Sequence, residues 1–309
     1  MVTASDSLMI HSAPVQPPIE TERPSPAQVV HAISVDVEDW PQSTLDQNLP
    51  ITDRVVRNTH VLLDLFREHK VTGTFFILGL VAERYPGLVS DIASEGHELG
   101  SHGYSHKAVF EIGPRAFEEE LRRSVGLLED ITCRRVRGYR APDFSITEKS
   151  LWALDLIAAR GLEYDSSIFP VKMRRYGIDS TPRRIHRLKN GLIEVPMSTV
   201  TWRGKRWPVA GGGYFRLYPY SLTRRAIRGL EAEGMPAIMY LHPYEIDPSE
   251  LGEVPHAIPM KTRLTQGLNR KYIARRLARL FKQFRFGPIA EVLETEAVNL
   301  AGLRSSSQS

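Results

Sequence analysis

Two histidines four residues apart, His102 and His106, stand in the run Ser101-His102-Gly103-Tyr104-Ser105-His106. In a helical turn that spacing brings both imidazoles to one side, where they can share a metal ion. Three carboxylates, Asp36, Glu38 and Asp39, crowd into Ser34-Val35-Asp36-Val37-Glu38-Asp39-Trp40. Like charges so close are costly unless a cation or a proton compensates. Two imidazoles and one carboxylate make a metal triad with positions left for water and substrate, and a carboxylate not bound to the metal could act as a base. Arg140, in Arg137-Gly138-Tyr139-Arg140-Ala141-Pro142-Asp143-Phe144, can pair with a buried aspartate. His242 closes an apolar run and precedes Pro243. Each group alone has a plainer reading, as a structural histidine, a solvated acidic loop or a loop residue. Their joint occurrence carries the weight.

Strand-like and helix-like segments alternate around these residues. Residues 29–35 form an apolar run suited to a buried strand, and 53–69 follow with Val55, Thr59, Leu62 and Phe66 at helical spacing and Asp53 as N-cap. Residues 71–78 read as a strand, 81–94 as a helix ending at Gly96, 97–101 as a short strand, and 114–130 as a helix with Pro114 in its first turn. Then come a strand at 136–140, a helix at 147–160 capped by Thr147, and short strands at 162–165 and 192–196. A helix at 221–233, a strand at 237–241 and a basic amphipathic helix at 270–285 complete the series. Repeated strand–helix units imply a parallel sheet covered by helices, and about seven of them point to a closed or nearly closed barrel. Catalytic groups in such barrels come from the C-terminal ends of strands, where the residues above fall.

The order Asp-x-Glu-Asp, Ser-His-x-x-x-His, Arg-x-Pro, Leu-His over residues 29–244 resembles the polysaccharide deacetylases, carbohydrate esterase family four, with their NodB-type homology domain. Gly211-Gly212-Gly213-Tyr214-Phe215-Arg216 and His242-Pro243-Tyr244-Glu245 further resemble a bacterial subgroup associated with exopolysaccharide and exosortase loci. The resemblance implies an α/β fold, a distorted (β/α)7 barrel, and one divalent metal ion: zinc, with cobalt or nickel as alternatives. It implies Asp36 as general base, His102 and His106 as metal ligands, Arg140 steadying the base, His242 as general acid, and Asp165 orienting that histidine. Two positions depart from the family pattern. Its second adjacent aspartate, a metal ligand, is Val37 here, which leaves Glu38 and Asp39 open, with Asp39 favoured as a short carboxylate at the end of a turn. Asp143 replaces a common aromatic whose backbone N–H faces the oxyanion. Trp40 and Tyr214 are candidate substrate contacts, and Trp202, Trp207 and Phe215 are further aromatic candidates for stacking on sugar rings.

The expected reaction is removal of N-acetyl groups from an amino-sugar glycan. Two readings compete: a metal amidohydrolase acting on a small amide, imide or formamido sugar, and a catalytically inactive glycan-binding relative. The single cysteine, Cys133, excludes a disulfide within the chain and a thiolate-rich zinc site, so any metal must be held by imidazole and carboxylate. The 309 residues are expected to form one barrel domain with C-terminal helices over 29–303, between a proline-rich tail at 1–28 and a flexible tail at 304–309. No run approaches the ~20 apolar residues of a membrane span, and the N-terminus lacks the apolar core of a signal peptide. The expected location is the cytoplasm, with peripheral membrane contact as an option. Net charge is +4 and the pI is 9.1, with basic clusters at Arg174–Arg175, around Arg183, at Arg203–Lys205–Arg206 and along 270–279. They suit an anionic or lipid-linked glycan or a membrane surface; no nucleic-acid motif accompanies them.

Overall fold

The structure, a computed structural model, describes residues 29–173 and 176–296; both expected tails and the Arg174–Arg175 pair lie outside them. Seven parallel strands form the frame: β1 (Val30–Val37), β2 (Thr74–Ile77), β3 (Glu98–Ser101), β4 (Gly138–Tyr139), β5 (Tyr164–Asp165), β7 (Ile193–Glu194) and β10 (Ile238–Leu241). Their order is β10-β1-β2-β3-β4-β5-β7. β6 (His186–Arg187) adds antiparallel to β7, and β11 (Arg285–Gly287) pairs with the first half of β1. The curled sheet is bridged between β7 and β10 by segment 195–198, where Ser198 Oγ accepts the Ile238 N–H at 2.7 Å. The fold is thus the expected α/β type, a distorted (β/α)7 barrel.

Strand parity organises the core. All eight residues of β1 are buried. Ile33, Val35 and Val37 pack outward against the helices, while Val30 and Ala32 belong to a second, inner core with Phe76, Tyr164, Val195 and Ile238. A strand buried on both faces carries apolar side chains on both, unlike the alternating strand of a half-exposed sheet, and the buried polar exceptions on β1 are hydrogen-bonded. Helix α1 (Arg54–Glu68) turns Val55, Leu62, Leu63 and Phe66 onto the outer core; burying each such side chain contributes about 1.5–3 kcal/mol. Helices α2 (Gly79–Arg84), α3 (Pro86–Ser94), α4 (Val109–Thr132), α5 (Trp152–Ala159), α6 (Gly212–Leu217), α7 (Tyr220–Ala232), α8 (Glu250–Glu253), α9 (Met260–Gly267) and α10 (Ile273–Gln283) follow in chain order.

Several local expectations are corrected. The single helix read at 81–94 is two, α2 and α3, because the residue before Pro86 is driven out of helical conformation; Tyr85 sits at φ −130°, ψ 62°. Asp53 precedes α1 but makes no side-chain cap. Thr147 does not cap α5, which starts five residues later; Ser150 Oγ instead takes the Thr147 N–H at 2.9 Å in a preceding turn. The segment around the Arg203 basic cluster is a hairpin of β8 (Thr199–Trp202) and β9 (Lys205–Pro208). Its two-residue turn, Arg203-Gly204, has positive φ at both positions, the geometry that matches strand twist. A basic residue at such a position gives little turn signal. Among the described residues no helix is long and apolar enough to cross a membrane.

Candidate active site

The parity that sorts the core also sorts the chemistry. Asp36, next to last in β1, lies on the inner phase, and Glu38, two residues on, keeps it. His102 follows β3, Arg140 follows β4 and His242 follows β10, each at a C-terminal strand end; all three side chains turn inward. Asp36, Glu38, His102, His106, Asp143 and His242 line one open cleft of about 910 Å³.

At its base lies a triad. Glu38 Oε2 is 2.5 Å from His106 Nε2 and 3.3 Å from His102 Nε2, and one ligand atom from each residue lies within 4.8 Å of the others. Burial disfavours the Glu38 charge, but the neighbouring His106 and His102 imidazoles outweigh it and hold this carboxyl well below its usual range. Burial likewise opposes charge on His106, yet Glu38 raises it. The His102 Nδ1–H donates to the Arg140 carbonyl at 3.0 Å. An imidazole committed this way presents a bare lone pair at Nε2. That lone pair faces an acceptor-only carboxylate oxygen, a contact that favours a cation between them. The fixed tautomer is also what a ligating histidine requires. The donor set, two imidazoles and a carboxylate, therefore fits a divalent ion of the zinc type.

The expectation that favoured Asp39 over Glu38 is corrected by the geometry. Asp39 has the opposite parity, and its two oxygens take the Thr52 N–H at 2.8 Å and hydroxyl at 2.9 Å, away from the histidines. Burial, against those two bonds, lifts its carboxyl to about 6.

Beside the triad, Arg140 Nη1 donates to Asp36 Oδ1 at 2.7 Å and to Ser34 Oγ at 2.8 Å; Nη2 and Nε reach the hydroxyl and carbonyl of Ser166. The guanidinium is fully buried and lies over the Phe76 ring at 4.2 Å. Next to this floor, Tyr164 covers Gly138 so closely that a Cβ there would sit 2.0 Å from the ring. Glycine is what lets the ring fill this part of the barrel.

On the other side of the triad, His242 Nε2 is 3.7 Å from Glu38 Oε1, and its Nδ1 is 3.3 Å from Glu245 Oε2. Glu245 also accepts the His242 backbone N–H at 3.2 Å, so one carboxylate fixes both ring and backbone. Burial works against charge on this ring; Glu245 and Glu38 overcome it and push the imidazole up to about 9. The ring stacks on Tyr244, centroids 4.7 Å apart. Glu245 has room because Gly212 lies against it: a Cβ there would meet the carboxylate at 1.4 Å. The triple-glycine run is thus the seat of the histidine's partner.

That partner is not the expected one. Asp165 lies on the outer parity of β5, in register with Tyr139 on one side and Glu194 on the other, and bonds the Ser167 hydroxyl at 2.6 Å. It shares a hydrogen bond with Glu194, whose carboxyl burial and the Asp165 charge push well above the usual range. Glu245 had a signal in the sequence: an acidic residue three after a strand-ending histidine, with proline between. Ser34 and Ser166, which hold Arg140, carried none.

Of the expected substrate contacts, Asp143 lines the cleft at φ +54°. Trp40 does not: it is fully buried with Tyr244, Leu251 and Val254. Tyr214 stands behind the wall, its hydroxyl 3.1 Å from that of Tyr176, which does line the cleft. Phe215 is buried, and Trp202 and Trp207 are exposed on the β8–β9 hairpin.

Residues 43–161 match the family model for polysaccharide deacetylase, and residues 166–294 match a domain of unknown function, DUF3473. The segment 43–161 is thus similar to the polysaccharide deacetylases. It is 33% identical over 125 residues to a peptidoglycan-N-acetylglucosamine deacetylase of Bacillus cereus, covering 35% of this chain and 44% of that protein. It is 29% identical over 142 residues to a chitooligosaccharide deacetylase of Rhizobium leguminosarum bv. trifolii, covering 44% of this chain and 63% of that protein. These matches span less than two thirds of either relative. The crystal structure of a Mycobacterium smegmatis protein assigned to the polysaccharide deacetylases by similarity aligns over 93% of this chain and 94% of its own, with TM-score 0.62 and 20% identity, a likeness of fold.

Proposed function

We propose that this protein is a metal-dependent hydrolase that removes acetyl groups from N-acetylated amino sugars in a glycan. The observation that carries the reading is the convergence, in one cleft, of the Glu38–His102–His106 triad with an arginine-held aspartate on one side and a carboxylate-held histidine on the other. A divalent ion held by Glu38, His102 and His106 would polarise an acyl oxygen and make water more acidic. Asp36, fixed by Arg140, accepts the proton of the attacking water. His242, seated by Glu245, donates a proton to the departing amine. The backbone N–H of Asp143, a residue that lines the cleft, would serve the oxyanion, as the family likeness implies. Acetate and a free amino sugar leave.

The breadth of the cleft supports a glycan over a small amide or imide. It runs from the triad past Phe110 and Lys149 on one side to Met173 and Tyr176 on another. The intact set of proton-handling groups supports an enzyme over an inactive binding module.

The test is acetate release from a panel of N-acetylated glycans by metal-stripped protein, then by protein given zinc, cobalt or nickel. Metal-dependent acetate is expected. Metal uptake with no acetate from any glycan, but hydrolysis of a small amide, would replace this reading with the amidohydrolase one.

A further inference from the structure

Helix α9 buries none of its residues. A helix usually holds its place by burying an apolar face. This one is held by its end: the Gln266 carbonyl accepts from Arg216 and, at 2.7 Å, from Arg270. Its apolar side chains point to solvent instead. Met260 is 69% exposed and Leu264, one turn on, 63%; Leu268 and Tyr272, in the turn that follows, are 53% and 43% exposed. Lys261, Arg263, Lys271 and Arg275 are interspersed, all exposed, and among the described residues none has a carboxylate ion-pair partner. Between Glu253 and Glu291 the sequence holds nine Lys or Arg and no Asp or Glu.

We propose that α9 and the turn after it form a docking surface for the anionic face of a phospholipid bilayer. Exposed aliphatic and aromatic side chains ringed by lysine and arginine match the two layers of such a face: acyl boundary below, phosphate above. A second copy of the chain fits poorly, because it would set cation against cation around a small apolar contact. A soluble acidic glycan would use the cations but leave Met260, Leu264 and Leu268 without a role. Gln266 lines the cleft, so docking would hold the mouth of the cleft beside the membrane. Only that consequence rests on the deacetylase reading; the binding does not.

The experiment is co-sedimentation of the full chain with vesicles of phosphatidylcholine alone, or of phosphatidylcholine mixed with phosphatidylglycerol. Binding is expected to the mixed vesicles only, and to weaken with salt. Lys261→Gln with Arg263→Gln is expected to weaken it about fivefold per charge removed. Leu264→Glu with Leu268→Glu is expected to weaken it about tenfold or more, with the thermal unfolding midpoint unchanged because neither side chain is in the core. Hydrolysis of a soluble oligosaccharide should be the same in all variants, which separates failure here from failure of the catalytic reading. Equal binding to both vesicle types, or binding to neither, would overturn the proposal. So would a dimer in light scattering that Leu264→Glu dissolves, or vesicle binding that only the cation variant loses.

Discussion

Two carboxylates of the candidate site are each defined by one short contact that a neighbour of similar chemistry does not make. Glu38 reaches the histidines and Asp39 does not; Glu245 reaches His242 and Asp165 does not. Two substitutions at this scale give opposite outcomes. Glu245→Gln keeps the shape but removes the charge that seats His242, and turnover should fall about 10²-fold or more. Asp165→Asn alters a carboxyl on the other face of the sheet and should leave turnover within a few-fold of the wild type. Steady-state rates on one N-acetylated oligosaccharide decide it; equal losses in both variants would contradict the assignment. Asp36, His102, His106, Arg140 and His242 were legible in the sequence because their types recur in a fixed order at strand ends. The preference for Asp39 ignored a rule available without the structure: an extended chain repeats every two residues, so Glu38, not Asp39, shares the face of Asp36. Asp165 had no such cue, since a two-residue strand does not announce which face is inward.

The elements place these residues by parity and by close packing of rings on backbone. Seven parallel strands were legible from apolar runs alternating with helical periods. What stayed hidden was the packing that shapes the interior, such as Tyr164 over Gly138 and Phe76 under Arg140. Gly138→Ala should cost about 1–3 kcal/mol by overpacking, and Tyr164→Leu in the same chain should restore part of it. Urea unfolding of the single and double variants tests this; a neutral Gly138→Ala would mean that the ring does not set the local fit. Trp40 was misjudged for a related reason: an aromatic beside a cluster of carboxylates is as well suited to a satellite core as to a substrate wall, and composition does not separate the two.

Across the whole molecule, buried ionisable groups beyond the cleft give opposing pH dependences. Burial holds His31 and His97 at about 4, and each accepts a backbone N–H at Nδ1, from Ala237 and Gly73. As pH falls below about 6.5 the unfolded chain takes up these protons first, so stability from each neutral histidine is full above that value and declines toward pH 4, by about 3 kcal/mol. Glu250, raised to about 7 chiefly by burial, acts in the other sense: it holds a proton in the fold, and its contribution is lost as pH rises through 7. The net profile is a compromise, so the prediction is differential. The stability of the wild type relative to His97→Gln should fall by about 3 kcal/mol between pH 7 and pH 4 in urea unfolding. A difference that does not change with pH would contradict the neutral, buried state of His97.

In the proposed reaction Glu38, His102 and His106 hold the metal, while Asp36 does chemistry without being needed to hold it. Zinc stoichiometry and acetate release, measured together on the wild type, Glu38→Gln and Asp36→Asn, test it most directly. Expected are one zinc per chain and acetate release for the wild type, loss of both in Glu38→Gln, and in Asp36→Asn retained zinc with turnover reduced by about 10²-fold or more. Full zinc binding in Glu38→Gln, or near-normal turnover in Asp36→Asn, would contradict it.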